Sequence, residues 1–149
     1  ALRLQGLPRE GVKEILKALG LSGFENRYPS ELSEGMRRRV GIARALALRP
    51  KVFLMDEPMA NLDTLTRERI QEIILELWHM YRFAGVLVTH DIEEAVFLGQ
   101  RIVILSPRPA KVVRILDNPG MGEPRYRRSP EFYEMTIKAR EVLSSLEVR

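Results

Sequence analysis

The sequence predicts an α/β fold in which helices cover both faces of a parallel sheet. Two short runs, Val52–Met55 and Val86–Thr89, are apolar at nearly every position, which is typical of strands buried on both faces. Stretches with helical periodicity separate these runs along the chain. Because strands that alternate with helices run parallel in such folds, ligands are expected at the carboxyl ends of the strands.

The first fifty residues are predicted to be mainly helical. A helix is expected over residues 9–19, with apolar side chains on one face and Gly20 as its C-cap. A second helix is expected over residues 34–48, because Ser33 is a favourable N-cap and Pro50 ends the pattern.

The central part of the chain alternates strands with helices. After the first strand, an apolar stripe from Ile70 to Tyr81 predicts a long helix, which Gly85 is expected to end. After the second strand, Asp91 is expected to cap a short helix, with Glu94 completing a capping box.

The last third of the chain is predicted to contain a strand pair and a final helix. Residues 101–105 and 111–116 form the strand pair, and the polar segment 117–129, rich in Gly and Pro, predicts a linker. Pro130 is well placed at the first position of the final amphipathic helix.

Composition limits the class of protein. The 149 residues are 45% hydrophobic and 30% charged, with a net charge of +4, as expected of a soluble globular protein. The absence of cysteine excludes disulfides and thiolate metal sites, and no apolar run approaches the ~18 residues of a membrane-spanning helix. Since the sequence begins without methionine or a secretory signal, we expect a cytoplasmic chain whose natural start lies upstream.

Two carboxylates follow the first predicted strand, and a histidine follows the second. Asp56 is suited to hold Mg²⁺, and Glu57 to orient or deprotonate a water that attacks a terminal phosphate. His90 can donate a hydrogen bond to the same phosphate. Taken alone, the carboxylate pair is more often an ordinary turn after a strand, and the histidine is more often an ordinary residue at a strand end.

The helix that begins after Ser33 is a second candidate site. Helix N-termini attract anions, and Gly35 would let a phosphate or another chain approach the backbone closely. The alternative is an ordinary serine cap. The arginines of this helix are compatible with a solvated face, and nucleic-acid binding is not expected because no aromatic residues are interleaved with them.

Four motifs occur in order along the chain: Leu32–Arg39, Val52–Pro58, Ala60–Asp63 and Val88–Asp91. They resemble, respectively, the signature motif, the Walker B strand, the D-loop and the switch-histidine loop of the ATP-binding-cassette ATPases. Met36-Arg37 and the Ser129–Phe132 tail are most similar to importers of the nitrate, sulfonate and taurine class. The resemblance implies a P-loop NTPase-like layered sheet with part of the helical signature subdomain.

The resemblance also implies roles for individual residues toward two cofactors, ATP and Mg²⁺. Asp56 would bind Mg²⁺, Glu57 would polarise the attacking water, and His90 would contact the terminal phosphate. The family thereby predicts an enzyme that hydrolyses ATP.

Further residues would act between two subunits of a head-to-tail dimer. Ser33 and Gly35 would contact ATP bound to the opposite subunit, and Asp63 would align the two halves. Transmembrane permease subunits would be the other partners, and the protein would lie peripherally on the inner face of the cell membrane.

The chain departs from the family pattern in two ways. Glu34 replaces the glycine usual between Ser33 and Gly35, and we expect its side chain to turn outward. The family's Gly-x-x-x-x-Gly-Lys-Ser/Thr phosphate loop (Walker A) and its glutamine loop have no match in the 149 residues. The fold is therefore expected to be incomplete at the N-terminus, and the isolated fragment to bind ATP poorly and not hydrolyse it.

These observations predict three segments: residues 1–50 in the helical signature subdomain, 51–116 in the C-terminal part of the ATPase core, and 117–149 as linker and C-terminal helix. The leading hypothesis for the function of the chain is that it is the ATP-hydrolysing subunit of an importer. The alternative hypothesis is that it is a non-catalytic or split cassette that donates its signature motif to another subunit's ATP. A cassette of DNA repair is disfavoured, because heptads and cysteines are absent.

Overall fold

The computed structural model describes residues 9–60, 62–123 and 125–147. Asn61, which belongs to the third motif, lies outside the described residues. The chain folds as two compact units whose boundary falls between Val88 and Thr89. None of the helices in the described part combines the length and apolar character that crossing a membrane requires.

Among its described residues, the first unit contains three α-helices and two strands: α1 (Arg9–Ala18), α2 (Glu34–Leu46), β1 (Val52–Asp56), α3 (Thr64–Tyr81) and β2 (Ala84–Val88). A short 3₁₀ turn, Pro29–Glu31, precedes α2. The predicted helices and strands are therefore confirmed, with ends that differ by a few residues. The centre of this unit is mainly apolar, with buried side chains that include Leu19, Leu46, Ile70 and Leu77, and the polar Gln71 is buried among them.

Helix α1 ends as its sequence predicts. Gly20 has φ +63°, and its N–H donates to the Lys17 carbonyl at 3.0 Å. The next N–H, that of Leu21, donates to the Leu16 carbonyl at 2.8 Å. This pair of bonds is a Schellman motif, which satisfies carbonyls that the end of the helix leaves free.

Strands β1 and β2 form a parallel pair in register from Val52 opposite Ala84 to Asp56 opposite Val88. The parallel α/β arrangement is confirmed, but the prediction that both faces of these strands are buried is wrong. Phe53 is buried, whereas its neighbour Leu54 is 71% exposed. A strand buries its second face only where another layer packs on it, and the described residues leave Leu54 uncovered.

Helix α3 ends before Gly85, so the prediction that this glycine ends the helix is wrong. The last helical residue is Tyr81, and Arg82 adopts a left-handed conformation with φ +51°. The Arg82 N–H still donates to the Trp78 carbonyl at 2.8 Å. Gly85 lies within β2 instead.

The second unit contains α4 (Ile92–Leu98), β3 (Arg101–Leu105), β4 (Val112–Asp117) and α5 (Pro130–Glu147). Strands β3 and β4 pair antiparallel, as predicted, and α5 begins at Pro130.

The segment 117–129, which the sequence predicts as a linker, contains buried polar contacts. Asn118 is 2% exposed, and its Nδ2 donates to the carbonyls of Val96 at 2.7 Å and Gly99 at 2.8 Å. The buried Tyr126 hydroxyl donates to Asn118 Oδ1. These bonds tie the segment to the end of α4, so the described part of it is folded rather than extended.

Candidate functional site

Ser33 caps α2. Its Oγ accepts a hydrogen bond from the Met36 N–H at 3.2 Å, and its backbone is extended. Serine is favoured here because it satisfies one of the free N–H groups of the first turn. Ser33 and Glu34 are both exposed, so the positive end of the helix is open to solvent. The predicted cap is confirmed.

Gly35 packs against the start of α3. A Cβ placed on Gly35 would lie 3.1 Å from Cγ2 of Thr66, which is tighter than ordinary van der Waals contact. One turn further along α2, Arg38 donates from Nη2 to the Ala60 carbonyl at 3.5 Å. These two contacts hold the start of α2 against the segment that leads into α3.

Asp63 caps α3. Its Oδ1 accepts a hydrogen bond from the Thr66 N–H at 3.0 Å. The hydrogen bonds that Thr66 donates, from its hydroxyl first and its N–H second, lower the pKa of Asp63. The Asp63 carboxylate is exposed, so it caps α3 while in contact with solvent.

Asp56 and Glu57 lie at the carboxyl end of the parallel pair. Asp56 is the last residue of β1 and is exposed. Glu57 has φ +46°, and its N–H donates to the Val88 carbonyl of β2 at 2.9 Å. A positive φ costs energy in a residue with a Cβ, so the contact to Val88 holds a sharp turn directly after the strand.

The chemistry of this strand end fits a magnesium ion. In the part of the chain that the structure describes, no three His, Asp or Glu side chains are grouped to hold a metal by themselves. Mg²⁺ takes only one or two protein carboxylates and completes its shell with water and phosphate oxygens. The single exposed carboxylate of Asp56 meets that requirement.

The remaining predicted site residue, His90, belongs to the second unit. It is exposed and lies directly between Thr89 and Asp91, the N-cap of α4. The other five predicted residues all belong to the first unit.

The comparisons with known proteins agree with these motifs. The pattern of the ABC transporter family matches residues 7–60, which include the capped start of α2 and the two carboxylates at the end of β1. The aliphatic sulfonates import ATP-binding protein SsuB of Bacillus cereus is 43% identical over 130 residues, which are 87% of this chain and 51% of that protein. The taurine import ATP-binding protein TauB of Rhizobium johnstonii is 44% identical over 90% of this chain and 54% of its own length.

This chain belongs to the ABC transporter family. The nitrate import ATP-binding protein NrtD of Synechocystis is also similar, with 40% identity over 98% of this chain and 59% of its own length. The predicted resemblance to the nitrate, sulfonate and taurine class is thereby confirmed. The chain spans about half the length of the curated relatives it matches.

Solved ABC structures share the fold. The dimeric structure of MJ0796, a bacterial ABC transporter cassette, matches this chain with a TM-score of 0.63 and 38% identity, over 76% of this chain and 48% of that one. Another dimeric structure of the same cassette is in a post-hydrolysis state bound to ADP and Pi, with a TM-score of 0.60 at 38% identity. It covers 73% of this chain and 46% of that one. The predicted α/β class is thus confirmed as that of ABC cassettes.

A groove of about 460 Å³ between α2 and β1 borders the candidate site, because two of its wall residues, Glu34 and Met55, directly neighbour predicted site residues in the sequence. Its walls include Arg37, Arg38, Leu54 and Pro58. None of the six predicted site residues, all of which the structure describes, lines this groove.

The four motifs contain all six predicted site residues, but they do not indicate which other side chains hold those residues in place. Thr66 and Arg38 have no role in the sequence-based prediction, although the Asp63-x-x-Thr66 spacing is a recognisable cap pattern. The left-handed backbone of Glu57 has no sequence signal, because nothing around it favours a positive φ.

Proposed function

We propose that this chain supplies the Mg²⁺-binding, water-polarising and signature portions of an ATP-hydrolysing subunit that powers an importer. The observation that carries the proposal is the end of β1. There an exposed Asp56 is followed by Glu57, whose N–H is anchored to the Val88 carbonyl. Two carboxylates on a fixed strand end suit a reaction that depends on positioning and charge stabilisation.

Asp56, Glu57 and His90 each have a separate role in the proposed hydrolysis of ATP. Asp56 holds Mg²⁺, which neutralises charge on the phosphate oxygens when bound. Glu57 orients the attacking water and accepts its proton. His90 donates a hydrogen bond to a terminal phosphate oxygen. The exposed positions of Asp56 and His90 support these roles, because both side chains are accessible to a ligand.

A second set of residues acts between subunits. Ser33 and Gly35 approach ATP held by a partner cassette, and Asp63 aligns the two subunits in a head-to-tail dimer. The open start of α2 supports this part of the proposal, since free N–H groups and a partial positive charge attract phosphate. Permease subunits hold the dimer at the inner face of the membrane and carry a solute of the sulfonate, taurine or nitrate type.

The 149 residues contain no phosphate loop, so we also propose that this chain by itself binds ATP weakly and does not turn it over. The test compares the chain alone with a hybrid in which an N-terminal half-cassette carrying that loop precedes it. Turnover is expected only in the hybrid. Turnover by the chain alone would disprove the inactivity, and a folded, ATP-binding hybrid without turnover would count against the proposed function.

Glu57→Gln in the hybrid tests the role of the carboxylate. We expect kcat to fall roughly 10²–10⁴-fold while ATP binding is retained, because the amide cannot accept the proton. Glu72→Gln is the matched control, since Glu72 is an exposed α3 carboxylate ion-paired with Arg69 at 3.3 Å. Equal losses in the two variants, or no loss in either, would contradict the role of Glu57.

A further inference from the structure

The backbone on both sides of His90 is enclosed by three side-chain contacts. The Thr89 hydroxyl donates to Glu94 Oε2, and the Asp91 N–H donates to Thr89 Oγ1 at 3.0 Å. The Glu94 N–H in turn donates to Asp91 Oδ1 at 3.1 Å. We refer to these three residues, Thr89, Asp91 and Glu94, as the switch-loop ring.

Glu94 of the switch-loop ring is buried, whereas His90, which lies between Thr89 and Asp91 of the ring, is exposed. Glu94 is 4% exposed, whereas His90 is exposed and its neighbours Thr89 and Asp91 are half-buried. Burying a carboxylate is costly unless hydrogen bonds compensate. The preceding residue, Glu93, is exposed on the same turn of α4. A glutamate buried at this one position therefore calls for a specific role.

Capping of α4 alone does not require the whole ring. The cap needs only the bond from the Glu94 N–H to the Asp91 carboxylate. The contact between Thr89 and Glu94 reaches beyond the cap to the residue before His90, and the Asp91 N–H closes the ring after it. The ring therefore fixes the chain on both sides of an exposed imidazole.

We propose that Thr89 and Glu94 are positioning residues for His90: they hold its backbone in one conformation, so that the imidazole keeps one direction toward a phosphate oxygen. A ligand-contacting side chain is effective only when its supporting residues hold it rigidly. The importance of this positioning for ATP rests on the role proposed above for His90. The ring itself does not depend on that role.

The first test reads the ring directly in the full chain. The sequence has two histidines, His79 and His90, so the imidazole region of an NMR spectrum contains one test signal and one internal reference. Thr89→Val should shift or broaden the His90 ring signals and leave those of His79 unchanged. Amide exchange at Asp91 should quicken by roughly tenfold or more, because its acceptor is lost. Thr89→Ser should restore both.

Variants of the two adjacent glutamates give the matched comparison. Glu94→Ala should reproduce the effect of Thr89→Val, and Glu93→Ala should have none. Glu94→Gln should recover much of the His90 signal, since its amide oxygen still accepts from Thr89. If Glu94→Ala does not fold, Thr89→Val and Glu94→Gln still decide the result. Unchanged His90 signals and Asp91 exchange in folded Thr89→Val would overturn the proposal.

The second test separates positioning from the role of His90 itself, using the hybrid described above. Thr89→Val should lower kcat on the order of 10- to 100-fold with little change in KM, and Thr89→Ser should restore it. If His90→Ala lowers kcat and Thr89→Val does not, the positioning proposal is wrong. If neither variant changes kcat although the NMR signals respond, the phosphate role of His90 is wrong and the ring stands as a conformational support.

Discussion

Gly35 has a structural requirement that is independent of any nucleotide. Its missing Cβ makes room for Cγ2 of Thr66, 3.1 Å from where that Cβ would lie. The hydroxyl and N–H of the same Thr66 hold the Asp63 carboxylate. A change at Gly35 would therefore disturb α3 as well as any ligand at the start of α2. Loss of activity on mutating this glycine does not by itself show that it contacts ATP.

A double-mutant cycle separates these two requirements. Gly35→Ala should lower the free energy of unfolding by roughly 1 kcal/mol, because crowding against Thr66 outweighs the better helix propensity of alanine. Thr66→Ser, which removes the crowded methyl group and keeps the hydroxyl, should recover that loss in the double variant. Urea unfolding of the four proteins measures the coupling.

Gly41 is the matched control for this cycle. It lies in the same helix, and a Cβ there would meet no heavy atom within 4 Å. Gly41→Ala should therefore stabilise the chain by up to about 1 kcal/mol, with no coupling to Thr66→Ser. If Gly35→Ala stabilises the chain as much as Gly41→Ala does, the contact with Thr66 does not constrain this position.

The starts of the helices could be predicted from the sequence, whereas one end could not. Ser33 and Asp91, the two predicted caps, accept hydrogen bonds from N–H groups three residues further along the chain, so the relevant pattern is local and visible in the sequence. The end of α3 depends on Arg82 in a left-handed conformation, which arginine seldom adopts. In the sequence, Gly85 was the stronger indication of a helix end, yet it pairs with Phe53 of β1 and so lies inside β2.

The Asp63 cap of α3 should make stability depend on acid pH. Hydrogen bonds lower the pKa of Asp63 below its ordinary value of 3.8. The charged form is thus favoured by folding, and its contribution is present above the unfolded pKa and lost as pH falls through the lower folded pKa. Asp63→Asn keeps a capping oxygen without the charge, so it should remove only the pH-dependent part.

Denaturation midpoints of the chain and of Asp63→Asn, measured from about pH 6 to about pH 3, test this prediction. The difference between the wild-type midpoint and the Asp63→Asn midpoint should be constant in the upper part of that pH range and should shrink at its acid end. Other carboxylates titrate in both proteins and cancel in the comparison. Asp63→Ala should lower the midpoint throughout, since the cap itself is lost. A wild-type advantage that does not change with pH would contradict the lowered pKa.

For the molecule as a whole, burial is the property that the sequence predicted least well. The apolar runs that became β1 and β2 correctly indicated parallel strands, but Leu54, Val86 and Val88 are 71%, 51% and 55% exposed. Whether a second face is buried depends on what packs against it, and a run of apolar residues does not specify that layer. Similarly, Asn118 looked like a linker residue because its partners, the carbonyls of Val96 and Gly99, are distant in sequence. Tyr126 bonds in turn to the Asn118 side chain.

The exposed face of the β1–β2 pair should make the chain self-associate. Leu54 lies beside Val86 in the register, and within the described residues each of these strands pairs on one edge only. An apolar face next to unpaired strand edges favours association between copies.

Leu54→Lys places a charge in the middle of this face and should shift the sedimentation of the chain toward the monomer. Since Leu54 is exposed, stability should change by no more than about 0.5 kcal/mol. Leu65→Lys is the control, because Leu65 is 79% exposed on the first turn of α3, outside the sheet. Equal effects of both substitutions would show that added charge, rather than loss of the sheet face, prevents association.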